Sequence, residues 1–310
     1  MDAIVTQGLS KVYKGIGKQA VHSLTALDLM VREKEIFGFL GRNGAGKTTT
    51  IKILCSLLQP ASGEAFLFGE NIRARATRRL AGYLPEQPYF YEYLTPKETL
   101  DFYGKLRGLN AAERAGEWEQ LSGMLDLRAI GNDRIKGFSK GMRQRVGFAV
   151  ALVGNPPLLI LDEPMSGLDP IGRRMIRELI VQQRDLGKTI FFSSHVLSDV
   201  EQICDRVGIL VKGRLTQQGR IDELLAGQTP QVEVTAERVL PGTAALLRAK
   251  ADQHRRLEER DIFLFPDAES ANGAVKAIQE GGGRLLEFSP VQETLEDYFL
   301  REQAHGEHAA

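Results

Sequence analysis

The 310-residue chain has little cysteine, no net charge and no long apolar run, and each shortage excludes a class of protein. Two cysteines, Cys55 and Cys204, are too few and too far apart for a disulfide scaffold or a metal site, and their helical, partly apolar surroundings suit a reduced core thiol. Forty basic and forty acidic side chains cancel, which argues against a chain whose main business is neutralising DNA or RNA, so no nucleic-acid partner is expected. The longest apolar stretches, around Val146 to Val153 and Leu158 to Leu161, are split by Asn155-Pro156-Pro157 and fall short of the roughly 18 residues of a membrane span. The amino terminus lacks the basic-then-apolar layout of a secretory signal. There is no long internal repeat. What remains is enough chain for a full α/β core and a smaller second domain.

Charge marks where the two would meet. Residues 1–228 carry 31 Lys and Arg against 25 Asp and Glu, whereas residues 229–310 carry 9 against 15. The sign reverses at Gly227-Gln228-Thr229-Pro230, which reads as a linker or turn, so the expected domains are 1–228 and 229–310.

Within the first, Gly41-Arg42-Asn43-Gly44-Ala45-Gly46-Lys47-Thr48 lies between a short apolar stretch at 35–40, read as a buried strand, and residues 49–58, read as a helix with Ile51, Leu54, Cys55 and Leu58 on one face. Glycines at this spacing let successive backbone N–H groups curl around an anion. Lys47 reaches outer phosphates and the Thr48 hydroxyl suits Mg²⁺. A nucleoside triphosphate site follows.

Four consecutive aliphatics, Leu158 to Leu161, read as a buried parallel strand ending in Asp162-Glu163-Pro164, where open α/β sheets expose their ligands. Asp162 suits a metal's water shell, and Glu163 suits polarising a water for in-line attack on phosphorus. Ser139 reads as a helix cap, with Gly141 keeping the helix start open to an approaching anion. His195 follows the short strand 190–192, as a capping or core histidine or as a phosphate sensor.

In this order these residues resemble the ATP-binding subunit of an ABC transporter, of the exporter type whose permease is a separate polypeptide. Residues 41–48 match the family's Walker A loop and residues 158–163 its Walker B strand with catalytic glutamate. Ser139 and Gly141 match the signature motif, Ser166-Gly167-Leu168-Asp169 resembles the D-loop, and Gln87 the Q-loop glutamine. His195 is similar to the switch histidine and Tyr13 to the aromatic that stacks on adenine, although a strand-surface tyrosine is its plain reading. The motifs run in family order from residue 4 to about residue 220.

The resemblance implies an α/β fold, a P-loop NTPase of the ABC ATPase type with a helical subdomain inserted at about 88–155, followed by a small C-terminal α+β accessory domain. It implies ATP and Mg²⁺, with Glu163, His195 and Gln87 as catalytic residues. Gly41, Asn43, Gly44, Ala45, Gly46, Lys47, Thr48, Thr49 and Tyr13 would hold nucleotide, and Thr48, Gln87 and Asp162 the metal. Ser139, Gly141 and Asp169 would serve ATP held by a second copy in a closed dimer. The partner would be an integral membrane permease met through residues 87 to about 127, placing the chain in the cytoplasm on the inner face of the membrane. The other reading is a soluble ABC-type ATPase that switches or scaffolds without a transport partner.

Phe138, Lys140 and Met142 depart from the usual Leu-Ser-Gly-Gly-Gln signature, and Lys140 either adds charge near phosphate or faces solvent. Tyr89, Phe90, Tyr91 and Tyr93 serve an interface or pack the subdomain internally. A DNA-repair ATPase would part its Walker halves with a long coiled coil, but only 114 residues separate Lys47 from Asp162, without sustained heptads. Beyond 229, strands are expected at 232–234, 261–265 and 284–288, and helices at 272–280 and 294–301. His254, His305 and His308 lack metal partners and read as solvated.

Overall fold

The computed structural model describes residues 1–14, 20–225, 231–291 and 294–299. Two compact units divide between Ile221 and Asp222. The linker expected at 227–230 lies outside the described residues.

The first unit opens with β1 (Asp2–Tyr13), β2 (Val21–Leu27), β3 (Met30–Arg32) and β4 (Ile36–Leu40), then α1 (Lys47–Leu54), β5 (Ser62–Leu67) and β6 (Glu70–Asn71). After a 3-10 turn, β7 (Ala81–Leu84) leads into three helices, α2 (Pro96–Arg107), α3 (Ala111–Met124) and α4 (Lys140–Leu152). β8 (Leu158–Asp162), α5 (Pro170–Asp185), β9 (Thr189–Ser194), α6 (Leu197–Ile203), β10 (Arg206–Val211) and β11 (Arg214–Arg220) complete it, and the short α7 (Ile221–Leu225) follows.

A six-stranded sheet ordered β11-β10-β4-β9-β8-β7 carries the site. Its strands from β10 to β7 are parallel, so their carboxyl ends share one edge. Leu40 pairs with Ser194 and Asp162 with Ser193, which sets the end of β9 between the Gly41 loop and Glu163. Every residue of β4, β8 and β9 is buried, as continuous apolar runs covered on both faces require. Phe191 stacks on Phe37 at 5.9 Å between centroids and lies 5.3 Å from Phe39, locking β9 onto β4. The second sheet, ordered β2-β1-β5-β6 with β3 on β1, shares the core through Ile4, Leu24 and Leu67.

Helix α1 begins two residues earlier than the sequence suggests and stops at Leu54, because Cys55 caps it and Ser56 takes φ +57°. The inserted helices carry strong local signals: reciprocal capping boxes, Thr95 with Glu98 and Asn110 with Glu113, start α2 and α3. Helix α4 approaches β7 closely enough that a Cβ on Gly82 would collide with the Ala151 carbonyl.

In the second unit β12 (Gln231–Glu237), β14 (Arg260–Phe265) and β15 (Arg284–Val291) occupy the expected regions, and β13 (Gln253–Leu257) is an addition. All pair antiparallel in the order β13-β14-β12-β15. Helices α8 (Pro241–Arg248) and α9 (Ala268–Glu280) contribute Leu247, Ala274 and Ile278 to a core with Val234, Phe263 and Phe265. α9 starts four residues before expectation because Asp267 caps it. His254 is not solvated: its Nε2 lies 2.8 Å from Oδ1 of the buried Asp261. His305 and His308 lie outside the described residues. Among those residues no helix is long and apolar enough to cross a membrane.

Candidate active site

The loop after β4 meets α1 through glycines that no other residue replaces cheaply. Gly46 caps the helix at φ +113°, and a Cβ there would stand 2.5 Å from the Ser23 carbonyl. This turn aims the first N–H groups of α1 into an open cleft of about 520 Å³. The cleft is lined by residues 42–44 and 46–49, by Glu163 and His195, and by Ser23, Glu86 and Ser166. Gly41 and Ala45 shape the loop from behind: a Cβ on Gly41 would stand 2.7 Å from the Leu210 carbonyl, and the Ala45 carbonyl accepts from Gly213 N–H.

Lys47 is nearly buried, donates to the Gly41 carbonyl at 2.6 Å, and places Nζ 3.2 Å from Glu163 Oε1. That approach is an ion pair without hydrogen-bond alignment, and Glu163 Oε1 has no aligned donor. The other carboxylate oxygen, Oε2, lies 2.8 Å from His195 Nδ1. A carboxylate only accepts, so the imidazole proton sits on Nδ1 when Glu163 is ionised. Among the described residues that line the cleft, Glu163 thus holds the one ammonium and the one imidazole.

Its backbone is strained to match. Glu163 adopts φ +48°, a left-handed conformation uncommon outside glycine. The Ser193 hydroxyl accepts from Glu163 N–H at 2.9 Å and donates to Asp162 Oδ1 at 2.7 Å, tying both acidic residues to β9. Thr48 Oγ1 also donates to Asp162 Oδ1, at 3.4 Å. Burial raises the Asp162 pKa above the ordinary carboxylate value, against the hydrogen bonds from Ser193 and Thr48, with Glu163 adding to the rise and Lys47 opposing it. Two oxygen donors side by side, one a carboxylate, fit a hard cation.

The remaining candidates are placed apart. Tyr13 is 43% exposed at the end of β1, its hydroxyl 3.5 Å from Thr49 Oγ1, which itself pairs with Ser23 Oγ at 2.9 Å. Gln87 is exposed and does not line the cleft, whereas Glu86 does. Ser139 caps α4 by accepting from Met142 N–H at 3.3 Å, and Asp169 caps α5 by accepting from Gly172 N–H at 2.7 Å. Neither faces its own chain's cleft. Gly141 has only Leu168 within van der Waals reach of an added Cβ, and the Lys140 ammonium lies against Gly167, so the start of α4 adjoins residues 166–169.

Ser193, Ser23, Glu86 and Gln144 are missing from the sequence-based candidates. Buried Gln144 donates to the Pro164 carbonyl at 2.8 Å, linking α4 to the segment after Glu163. Position beside His195 was the only signal for Ser193; the others depend on contacts distant in sequence.

A family model described as ABC transporter matches residues 24–166. An ABC transporter ATP-binding protein of Synechocystis is 40% identical over 310 residues, covering 97% of this chain and 84% of its own. A bacitracin transport ATP-binding protein of Bacillus licheniformis is 36% identical, covering 96% of each chain. A solved ATP-binding subunit of an ABC transporter superposes with a TM-score of 0.65 at 32% identity, over 72% of this chain and 92% of that one. The chain therefore belongs to the ABC transporter family, as an ATP-binding, ATP-hydrolysing subunit with the P-loop NTPase fold of the ABC ATPases.

Proposed function

We propose that two copies of this chain close head-to-tail around two ATP molecules and drive export through a separate membrane permease. The observation that carries the reading is the pairing of Glu163 with both Lys47 and His195 at one end of the cleft. A triphosphate entering the loop competes with Glu163 for the Lys47 ammonium and the His195 N–H. Once both turn to phosphate, the Glu163 carboxylate is free to accept a proton from the attacking water. The water oxygen then bonds to the γ-phosphorus as the bridge to ADP breaks.

Thr48 and Asp162 would hold Mg²⁺, which offsets phosphate charge when bound. Ser139 and Gly141 present the start of α4 away from their own cleft, which supports their service to a second copy, with Asp169 aligning the joint. Gln87, exposed beside Glu86, belongs on this reading to the loop that reports nucleotide to the permease rather than to a fixed metal shell. The bacitracin transport relative supports a transport role, and the exposed Tyr89, Tyr91 and Tyr93 support a docking face on residues 87–127, holding the chain to the inner side of the membrane.

Detergent pull-down of the tagged chain tests the partner. A polytopic membrane protein is expected to be recovered, and less of it with Tyr91→Ser/Tyr93→Ser, while ATP affinity stays within about twofold. Recovery of no membrane protein would favour a soluble ATPase.

A further inference from the structure

The chain has no net charge, yet Arg73, Arg75, Arg78 and Arg79 crowd one short segment after β6. Three of them stand on the 3-10 turn Arg75–Arg79, and all four are exposed. Among the described residues none of the four guanidinium groups has an ion-pair or hydrogen-bond partner. The turn itself is fixed. Thr77 is 1% exposed and its hydroxyl donates to the Ala74 carbonyl at 2.7 Å. Arg107 of α2 braces the backbone, donating to the carbonyls of Arg78 at 3.3 Å, Arg79 at 3.2 Å and Ala81 at 2.9 Å, and brings a fifth guanidinium alongside.

This basic strip borders a groove of about 350 Å³ whose walls include Arg78, Leu57, Tyr89 and Tyr103. Leu57 is 62% and Tyr89 86% exposed, so unpaired cations and uncovered apolar side chains share one surface. Tyr89, Tyr103 and Arg107 lie within the segment read above as the permease docking face. That face is turned to the membrane on that reading, and the orientation of the strip rests on it.

Charge decides between the occupants available there. Cytoplasmic loops of membrane proteins carry an excess of Lys and Arg, which complements an arginine strip poorly. The inner leaflet carries anionic headgroups, and each Lys or Arg near it strengthens binding about fivefold. Leucine suits the headgroup boundary beside such cations. We infer that Arg73, Arg75, Arg78 and Arg79, with Leu57 beside them, bind the anionic lipid headgroups of the membrane leaflet next to the permease.

Sedimentation of the full-length protein with vesicles tests this without any permease. Vesicles containing about 30% phosphatidylglycerol should bind the chain at least about tenfold more tightly than pure phosphatidylcholine vesicles at low salt, and raising the salt should abolish the difference. Arg73→Gln/Arg75→Gln should weaken binding by an order of magnitude, and the fourfold Arg→Gln variant further, with ATP affinity unchanged in both as the check on folding. The double variant keeps the test decisive where the fourfold one fails to fold. Equal binding to neutral and anionic vesicles, no binding at low salt, or binding unmoved by the substitutions overturns the inference. Vesicle binding that persists when no permease is recovered in the pull-down leaves the lipid site standing and removes the docking reading alone.

Discussion

Glu163 Oε1 lies 3.2 Å from Lys47 Nζ, with both side chains nearly buried. The carboxylate therefore occupies the cation that a γ-phosphate needs, and the same group is the proposed proton acceptor. Glu163→Gln keeps the shape and removes the charge. Hydrolysis is expected to fall at least about a hundredfold, while ATP affinity stays equal or rises because the competing anion is gone. Phosphate release and equilibrium nucleotide binding measure the two halves, and parental turnover in the variant would remove Glu163 from the chemistry.

Lys47→Ala removes the other partner. A lost hydrogen bond from a charged group costs about 1.5–3 kcal/mol, so ATP affinity should drop roughly 10- to 150-fold, with turnover lost. Calorimetry on the folded variant reads this directly, and unchanged affinity would contradict the assignment of the loop.

Asp162 gives a pH dependence with a definite sign. Burial raises its pKa, so its contribution to stability is fully present below the ordinary aspartate value and is lost as pH rises through the higher folded value. A bound cation needs the ionised form, so Mg²⁺ affinity should fall as pH drops through that raised value, earlier than for an ordinary aspartate. Ser193→Ala deletes a hydrogen bond that favours ionisation and should move the midpoint to still higher pH. Mg²⁺ titrations across a pH series test both; a midpoint unmoved in the serine variant would show that Ser193 does not tune the site.

Asp199 on α6 receives Arg173 Nη2 and Arg177 Nη1 from α5, each at 2.6 Å, with its carboxylate 2% exposed. These bonds join the helix that follows His195 to the helix capped by Asp169. Asp199→Ala is expected to cost about 3 kcal/mol of stability, because two partly covered guanidinium groups lose their anion. Urea denaturation measures it, and a loss under about 0.5 kcal/mol would mean the pair is solvent-compensated.

The parts of this site that are contiguous in sequence were legible in it. Gly44 and Gly46 mark a turn by their spacing, the four aliphatics before Asp162 mark a buried strand, and Ser139 marks a helix start by its chemistry. Ser193 escaped because its function is to bridge Asp162 and the Glu163 backbone across two strands, which spacing cannot show. The early end of α1 depends on one positive φ at Ser56, and β13 is rich in Gln, His and Arg, so alternation gave it no apolar signature. His254 looked solvated because Asp261, its partner, belongs to the neighbouring strand.

Closure of two copies around ATP is the central claim, and the mass of Glu163→Gln in solution tests it most directly. By light scattering at saturating ATP and Mg²⁺ the variant should double in mass, and return to one chain's mass without nucleotide. Ser139→Arg added to it should still bind ATP yet stay at one chain's mass, because Ser139 serves the other copy's nucleotide. A single-chain mass for Glu163→Gln at saturating ATP, or full dimerisation with Ser139→Arg present, would contradict the account.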